Sequence, residues 1–348
     1  MDRVKLLQGG TEAFPRMLEA IRAARRAVHF ETYIFERDAV GAAFLEALRE
    51  AARRGVQVTG VIDGVGSPQA LWLAASLNAA GARVRVHGRR LLLLFGRLLR
   101  NHRKLLSVDG EVAFAGGINW AAGQQGWADL AVEVRGPVCE LFAEALQRRG
   151  KVAAGATVTF LLSRARGGRK LRRRYLTAIA RAQGSVRLAQ AYFLPDGRLL
   201  RALGSAARRG VDVRVLLAGP LDVPLIGAVS ARLCKKLLRG GVRVFRWNET
   251  VMHAKAAAID GRTLLVGSFN LDPLSQVNEE VLVEARDPGA ALAAEAWFER
   301  HAALELTLDD CRTAFFRDLL ARALSWAGFF VARHLRRAGW HGLFKASG

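Results

Sequence analysis

Cysteine is scarce in this chain of 348 residues, which has three. Cys139, Cys234 and Cys311 are odd in number, far apart and form no Cys-x-x-Cys pair. Neither a disulfide framework nor a zinc site is expected, and a reducing compartment fits. Long apolar runs are also missing. No stretch reaches the ~18 residues of a membrane span. The longest near the end, residues 323–332, is bracketed by Arg322 and Arg333. Residues 1–10 hold no apolar h-region, so no secretory signal is expected. A protein of this kind can lie on a membrane but is not expected to cross one. There is no His-Glu-x-x-His, no clustered Asp-x-Asp loop and no Gly-x-x-x-x-Gly-Lys loop. The site is therefore expected to work with no metal and no cofactor.

Acidic residues are the minority, 31 against 53 Lys plus Arg, for a formal net charge of +22. Such a field concentrates anionic partners, and both nucleic acid and anionic lipid qualify. A composition 51% hydrophobic and 24% charged belongs to a folded chain with a sizeable core rather than to disorder. Length gives a soft prior of about two domains at ~150 residues each.

The chain repeats itself. Glu31-Thr-Tyr-Ile-Phe35 and Gln190-Ala-Tyr-Phe-Leu194 each follow an amphipathic helical stretch and a short apolar run. Each leads into a second helix ending in Arg-Arg-Gly-Val, at 53–56 and 208–211. The Gly is a C-terminal stop. Strands are predicted at 56–62 and 211–217, then at 84–86 and 242–244. Helices alternating with short β-branched strands predict an α/β layered sheet in each half. The boundary is placed near 150–174, where the basic, Gly-containing run 164–174 reads as a solvated loop entering a helix.

The polar positions keep a tighter spacing than this scaffold. His102, Lys104, Asp109, Asn119 and Asp129 recur as His253, Lys255, Asp260, Asn270 and Glu280, and 253 − 102, 255 − 104, 260 − 109, 270 − 119 and 280 − 129 all equal 151. Gly116-Gly117 is matched by Gly267-Ser268, whereas Tyr33 to Tyr192 is 159 apart. On a strand, His and Lys two apart project from one face. A duplicated fold can bring two such faces together across a pseudo-two-fold axis. Two imidazoles suit a two-step displacement at phosphorus: one attacks and holds the phosphoryl group, and the other protonates the leaving alkoxide and then activates the acceptor. The two lysines and two asparagines can hold the non-bridging oxygens. A carboxylate beside each histidine would fix its tautomer, and Asp129 and Glu280 are the candidates. Asp109-Gly110 and Asp260-Gly261 read as turns that support the fold. The histidines at 29, 87, 301, 334 and 341 have no partner at this offset and read as core or surface residues.

His-x-Lys-x4-Asp, followed by a small-residue turn and Asn and occurring twice, resembles the signature of the phospholipase D superfamily over about residues 4–300. The resemblance implies two α/β/α sandwich halves related by a pseudo-two-fold axis, with the active site between them and a covalent phosphohistidine. It implies catalytic roles for His102, Lys104, Asn119, His253, Lys255 and Asn270, support from Asp109, Asp129, Asp260 and Glu280, and a phosphate-binding turn at Gly117 and Ser268. Arg100-Asn-His-Arg-Lys104, Trp127-Ala-Asp129, Tyr192-Phe-Leu-Pro-Asp196, Asp222-Val-Pro224, Met252-His-Ala-Lys255 and Asn270-Leu-Asp-Pro-Leu-Ser275 look like bacterial cardiolipin synthases of the short kind. That implies transfer between phosphatidylglycerol molecules at an anionic membrane surface, peripheral on the cytosolic face of the inner membrane, with no stable nucleic-acid partner. Hydrolytic phospholipase D and a phospholipase D-type nuclease remain the alternatives. The organisation expected is a half at 1–150, a half at 151–300 and a basic amphipathic helical tail at 301–348. The Leu- and Arg-rich segment 89–100 and that tail read equally as interfacial helices or as helices docked on the protein.

Overall fold

The computed structural model describes residues 1–88, 99–148, 150–219 and 233–311. The first half runs β1 (Arg3–Gln8), α1 (Gly9–Ala23), β2 (Ala27–Thr32), α2 (Ala39–Arg53), β3 (Gln57–Asp63), α3 (Ala70–Ala79), β4 (Arg83–His87), β5 (Leu105–Val108), β6 (Val112–Gly116), β7 (Leu130–Arg135) and α4 (Val138–Gln147). The second runs β8 (Val152–Ala154), β9 (Val158–Ser163), α5 (Arg169–Arg181), β10 (Ser185–Gln190), α6 (Gly197–Arg208), β11 (Asp212–Ala218), β12 (Arg243–Trp247), β13 (Lys255–Ile259), β14 (Thr263–Gly267), β15 (Glu280–Arg286), α7 (Pro288–His301) and β16 (Leu304–Glu305). The predicted strands start within one residue of these and end within three.

Two mixed sheets result, ordered β1-β7-β6-β5-β2-β3-β4 and β16-β12-β11-β10-β13-β14-β15-β9-β8. In each, a parallel trio (β2, β3, β4; β10, β11, β12) joins an antiparallel meander (β5, β6, β7; β13, β14, β15). One apolar cluster lies under α1–α3 and another under α5–α6. A third fills the space between the sheets and contains α4 and α7. The fold is thus a duplicated α/β sandwich whose inner faces meet. Among the described residues no helix is long and apolar enough to cross a membrane.

The repeated Arg-Arg-Gly-Val has a structural reason. α2 ends at Gly55 and α6 at Gly210, with φ of +87° and +89°, a conformation glycine adopts at little cost. The preceding Arg54 reaches back to the carbonyls of Ile21, Arg22 and Ala24, and Arg209 to those of Ile179, Ala180 and Ala182. Each guanidinium thus satisfies the orphan carbonyls at the end of the neighbouring helix. Asp109 and Asp260 play a second paired role. Both take the left-handed conformation, φ +55° and +54°. Asp109 accepts from the amides of Arg25, Arg26 and Ala27, and Asp260 from those of Gln183, Gly184 and Ser185. They tie the β5–β6 and β13–β14 turns to the starts of β2 and β10. Replacing either by Ala should cost about 1–3 kcal/mol of stability, read as a lowered denaturant midpoint, without changing turnover per folded molecule.

The run 164–174 is a loop entering α5. Before it lie β8 and β9, and β9 pairs with β15 in the second sheet as β1 pairs with β7 in the first. Two expectations need correction. Leu304–Glu305, assigned to the tail, pair with β12. His102 and Lys104 precede β5 rather than sitting on it, and His253 precedes β13. The segments 89–98, 220–232 (with Asp222 and Pro224) and 312–348, and so most of the tail, lie outside the described residues.

Candidate active site

Each histidine sits in a short extended segment that enters its meander, and the two segments are bound to the opposite half. The amide of His102 donates to the carbonyl of Glu279 at 2.9 Å, and the amide of His253 to that of Ala128 at 2.9 Å. Glu279 donates in turn to Arg100, and Ala128 to Val251. These links pair 102 with 279 and 253 with 128, so they repeat at the 151-residue offset.

This crossing decides which carboxylate serves which histidine. Glu280 follows Glu279, and both of its oxygens lie against His102 Nδ1, at 3.1 and 3.0 Å. Asp129 follows Ala128, and its Oδ2 lies 2.7 Å from His253 Nδ1. Each imidazole is therefore oriented by the other half's carboxylate, leaving Nε2 of each for chemistry. Equal spacing of 27 residues within each half suggested the carboxylates but not this exchange.

Burial sets the charges. His102 and His253 retain 12% and 9% side-chain exposure. Burial, then Lys104 and Lys255, hold the His102 imidazolium well below the usual histidine range. Burial and Lys255 bring His253 down to about 4, against the opposing pull of Asp129. Burial lifts Glu280 to about 7. It lowers Lys255 to about 8 and Lys104 well below the lysine range. The empty site thus favours two neutral imidazoles, the form a nucleophile needs.

The other sequence-selected residues gather here with unequal roles. Lys104 Nζ donates to the carbonyl of His102 at 2.8 Å, and Lys255 Nζ donates to that of His253. The His-x-Lys spacing thus curls each lysine back on its own histidine. Asn119 is engaged at both ends, accepting from the Ile34 amide at 3.2 Å and donating to Gln124 Oε1 at 2.8 Å. Asn270 Oδ1 is buried with no hydrogen-bond partner among the described residues. Turning that amide over offers Nδ2 to a phosphoryl oxygen. The phosphate-binding turn is corrected. Ser268 is fully buried and its hydroxyl donates to Glu280, while a Cβ at Gly117 would overlap the Asp129 carboxylate. Both positions accommodate the carboxylates behind the histidines.

Several residues that the sequence shows only as members of the repeat and the family motifs, with no role of their own, support the histidines. Tyr33 and Trp127 lie 4.8 Å and 5.4 Å, centroid to centroid, from His102 and His253. Asn101 Nδ2 donates to Glu31 Oε2 at 2.6 Å, its amide donates to Asp63 Oδ2 at 2.8 Å, and Arg103 donates to Glu31 and to the Ser163 carbonyl. This network clamps the His102 segment. At the matching places the second half has Met252 and Ala254, both in the apolar core. Asp272, buried and lifted to about 7 by that burial, stands at the position that Ala121 holds in the first half. Neither asymmetry can be found by a search for repeats.

Residues 17–145 and 175–302 match the family described as "Cardiolipin synthase, PLD-like domain". Cardiolipin synthase B of Escherichia coli (strain K12) is 34% identical over 304 residues, covering 79% of this chain and 74% of that protein. Cardiolipin synthase A of Pseudomonas aeruginosa (strain UCBPP-PA14) is 32% identical over 362 residues, covering 95% of this chain and 72% of that protein. Among solved structures, phosphatidylserine synthase of Haemophilus influenzae Rd KW20 shares the fold at a TM-score of 0.72 and 13% identity, covering 95% of this chain and 94% of that one. Polyphosphate kinase of Porphyromonas gingivalis shares it at 0.60 and 13% identity, over 97% of this chain and 55% of that one. The duplicated sandwich, the doubled His-x-Lys segments and these relatives agree: the chain belongs to the cardiolipin synthase family of the phospholipase D superfamily.

Proposed function

We propose that this phospholipid phosphatidyltransferase makes cardiolipin from two molecules of phosphatidylglycerol through a covalent phosphohistidine. The observation that carries the reading is the crossed pair of His–carboxylate contacts, which exists only between the halves. His102 Nε2 attacks the phosphorus of the first phosphatidylglycerol. The P–O bond to its glycerol headgroup breaks, and His253 gives that oxygen its proton. A hydroxyl of a second phosphatidylglycerol then loses its proton to His253 and attacks the phosphorus, releasing His102 and cardiolipin. His253 is the proton carrier because Asp129 favours its imidazolium, and the arriving anionic phosphodiester raises its proton affinity so that it takes a proton from solvent before the P–O bond breaks. Glu280, held by Ser268, keeps the His102 ring aimed. Lys104 and Lys255 neutralise the non-bridging oxygens as charge redistributes, and Asn270 donates a hydrogen bond to one of them. The net charge of +22 supports residence at an anionic membrane surface, on the cytosolic face of the inner membrane.

Purified protein with phosphatidylglycerol vesicles should yield cardiolipin and free glycerol by mass spectrometry, in the presence of chelator. Phosphatidic acid in place of cardiolipin would mean that water is the acceptor and the enzyme is a hydrolase. The lysines add a pH signature. Lys255 is held near 8, so the free enzyme loses this positive charge as pH rises through that value. The rate constant kcat/KM, which reports the free enzyme, should fall on the alkaline side of about 8. Lys255→Arg, charged throughout, should remove the part of that limb that Lys255 contributes and leave the part due to Lys104, at a lowered kcat/KM because the larger guanidinium enters a fully buried place.

A further inference from the structure

The inner face of the first sheet differs from that of the second in two places. The row Glu31, Val61 and Arg85 is matched by the apolar Ala189, Leu216 and Phe245, and His87 by Trp247. The row His29, Thr59 and Arg83 is instead matched by Arg187, Arg214 and Arg243, which pair with Asp212, Glu299 and Glu305. In β4, Val84 and Val86 pack under the helices α1–α3, so Arg83, Arg85 and His87 stand on the opposite face. There the register sets His29, Thr59 and Arg83 side by side, then Glu31, Val61 and Arg85. In the second half, the matching strand β12 presents Phe245 and Trp247, which α7 covers. Phe298 lies 6.2 Å from Phe245 and His301 lies 4.4 Å from Trp247. α7 has 14 residues, whereas its counterpart α4 has 10 and stops at Gln147. The uncovered face is the wall of a cavity of ≈ 750 Å³, within the size range of ligand pockets.

Arg83, Arg85, Arg103 and Arg164 line it, against Glu31 and Glu279. The Glu31 charge is matched by Arg103 at 3.1 Å, so the remaining balance is positive. Arg103 is 7% exposed, yet its Nε has no hydrogen-bond partner among the described residues, while His29 Nε2 lies 3.6 Å from Glu31 Oε1. A buried donor without an acceptor is costly, and a ligand oxygen would relieve it. The cavity also backs onto the histidine site. Arg103 adjoins His102, and the Glu279 carbonyl accepts the His102 amide.

We infer that this cavity binds a phosphate-bearing anion at a site separate from the two histidines. Guanidinium groups match phosphate oxygens in charge and geometry. The source is either free phosphate or the headgroup of an anionic phospholipid, and the inference does not depend on the transfer reaction.

The test uses the full chain labelled with ¹⁵N-histidine, its signals assigned by single His→Gln variants. It is titrated with inorganic phosphate, with dihexanoyl-phosphatidylglycerol, and with sodium chloride of equal ionic strength. The expected result is that the His29 and His87 signals move with phosphate or with the short-chain lipid but not with chloride. A response to phosphate identifies a free anion as sufficient, and a response to the lipid alone identifies a headgroup. Arg83 and Arg85 are exposed, so Arg83→Glu with Arg85→Glu should fold. It should weaken the response at His29 and His87 by roughly tenfold or more, while the His102 and His253 signals still respond. His29 and His87 unmoved by both anions, or moving equally in chloride or in the double variant, would overturn the inference.

Discussion

His102→Ala and His253→Ala should each lower phosphatidyl transfer by about 10⁴-fold or more, and the double variant should be no slower than either single variant. The two imidazoles act on one phosphorus in sequence. Without the nucleophile no covalent intermediate forms, and without the acid the glycerol alkoxide must leave unprotonated. Residues that act as a unit give non-additive losses. Steady-state assays on phosphatidylglycerol vesicles check this, with far-ultraviolet circular dichroism to show that the variants fold. A single variant retaining near-native turnover would break the two-histidine mechanism.

The second large effect concerns the crossed carboxylates. Glu280→Gln and Asp129→Asn remove charge with little change of shape, and each should slow transfer by about 10²–10⁴-fold. The losses should be distinguishable by site. Glu280→Gln should change the ¹⁵N shift and titration of His102, 178 positions away in sequence, and leave His253 nearly unmoved. Asp129→Asn should do the reverse through its contact 124 positions away. If each change instead perturbed the histidine of its own half, the exchange between halves would be wrong. The backbone links 102–279 and 253–128 make that outcome incompatible with the fold.

The sequence carried the site further than the scaffold. His102, Lys104, Asn119 and their partners lie on or beside the meanders β5–β7 and β13–β15, whose connections keep one length, so a single offset exposes them. The helices and parallel strands tolerate insertions in their loops, which is why Tyr33 and Tyr192 drift to 159. Partner exchange was not legible because a spacing within one half contains nothing about the other half. The role of Ser268 was misread for a related reason: a small residue beside a motif can face substrate or face a buried carboxylate, and only packing separates the two. The unequal lengths of α4 and α7, and with them the inner cavity, depend on where each helix stops. Arg148-Arg149-Gly150 marks the end of α4, but a stop signal does not tell what the helix leaves uncovered. At β4 the sequence predicted only a strand over 84–86. The alternation Arg83-Val-Arg-Val-His87 is the feature that could have told of a polar inner face, since a packed strand would carry apolar residues on both sides.

The most direct measurement is a burst assay with a phosphatidyl ester of p-nitrophenol, whose leaving group needs no proton. The His253→Ala variant is expected to release one equivalent of nitrophenolate and then stall, with the phosphatidyl group found by peptide mass spectrometry on His102. The His102→Ala variant should release none. A burst in neither variant, with no adduct on His102, would contradict covalent phosphatidyl transfer.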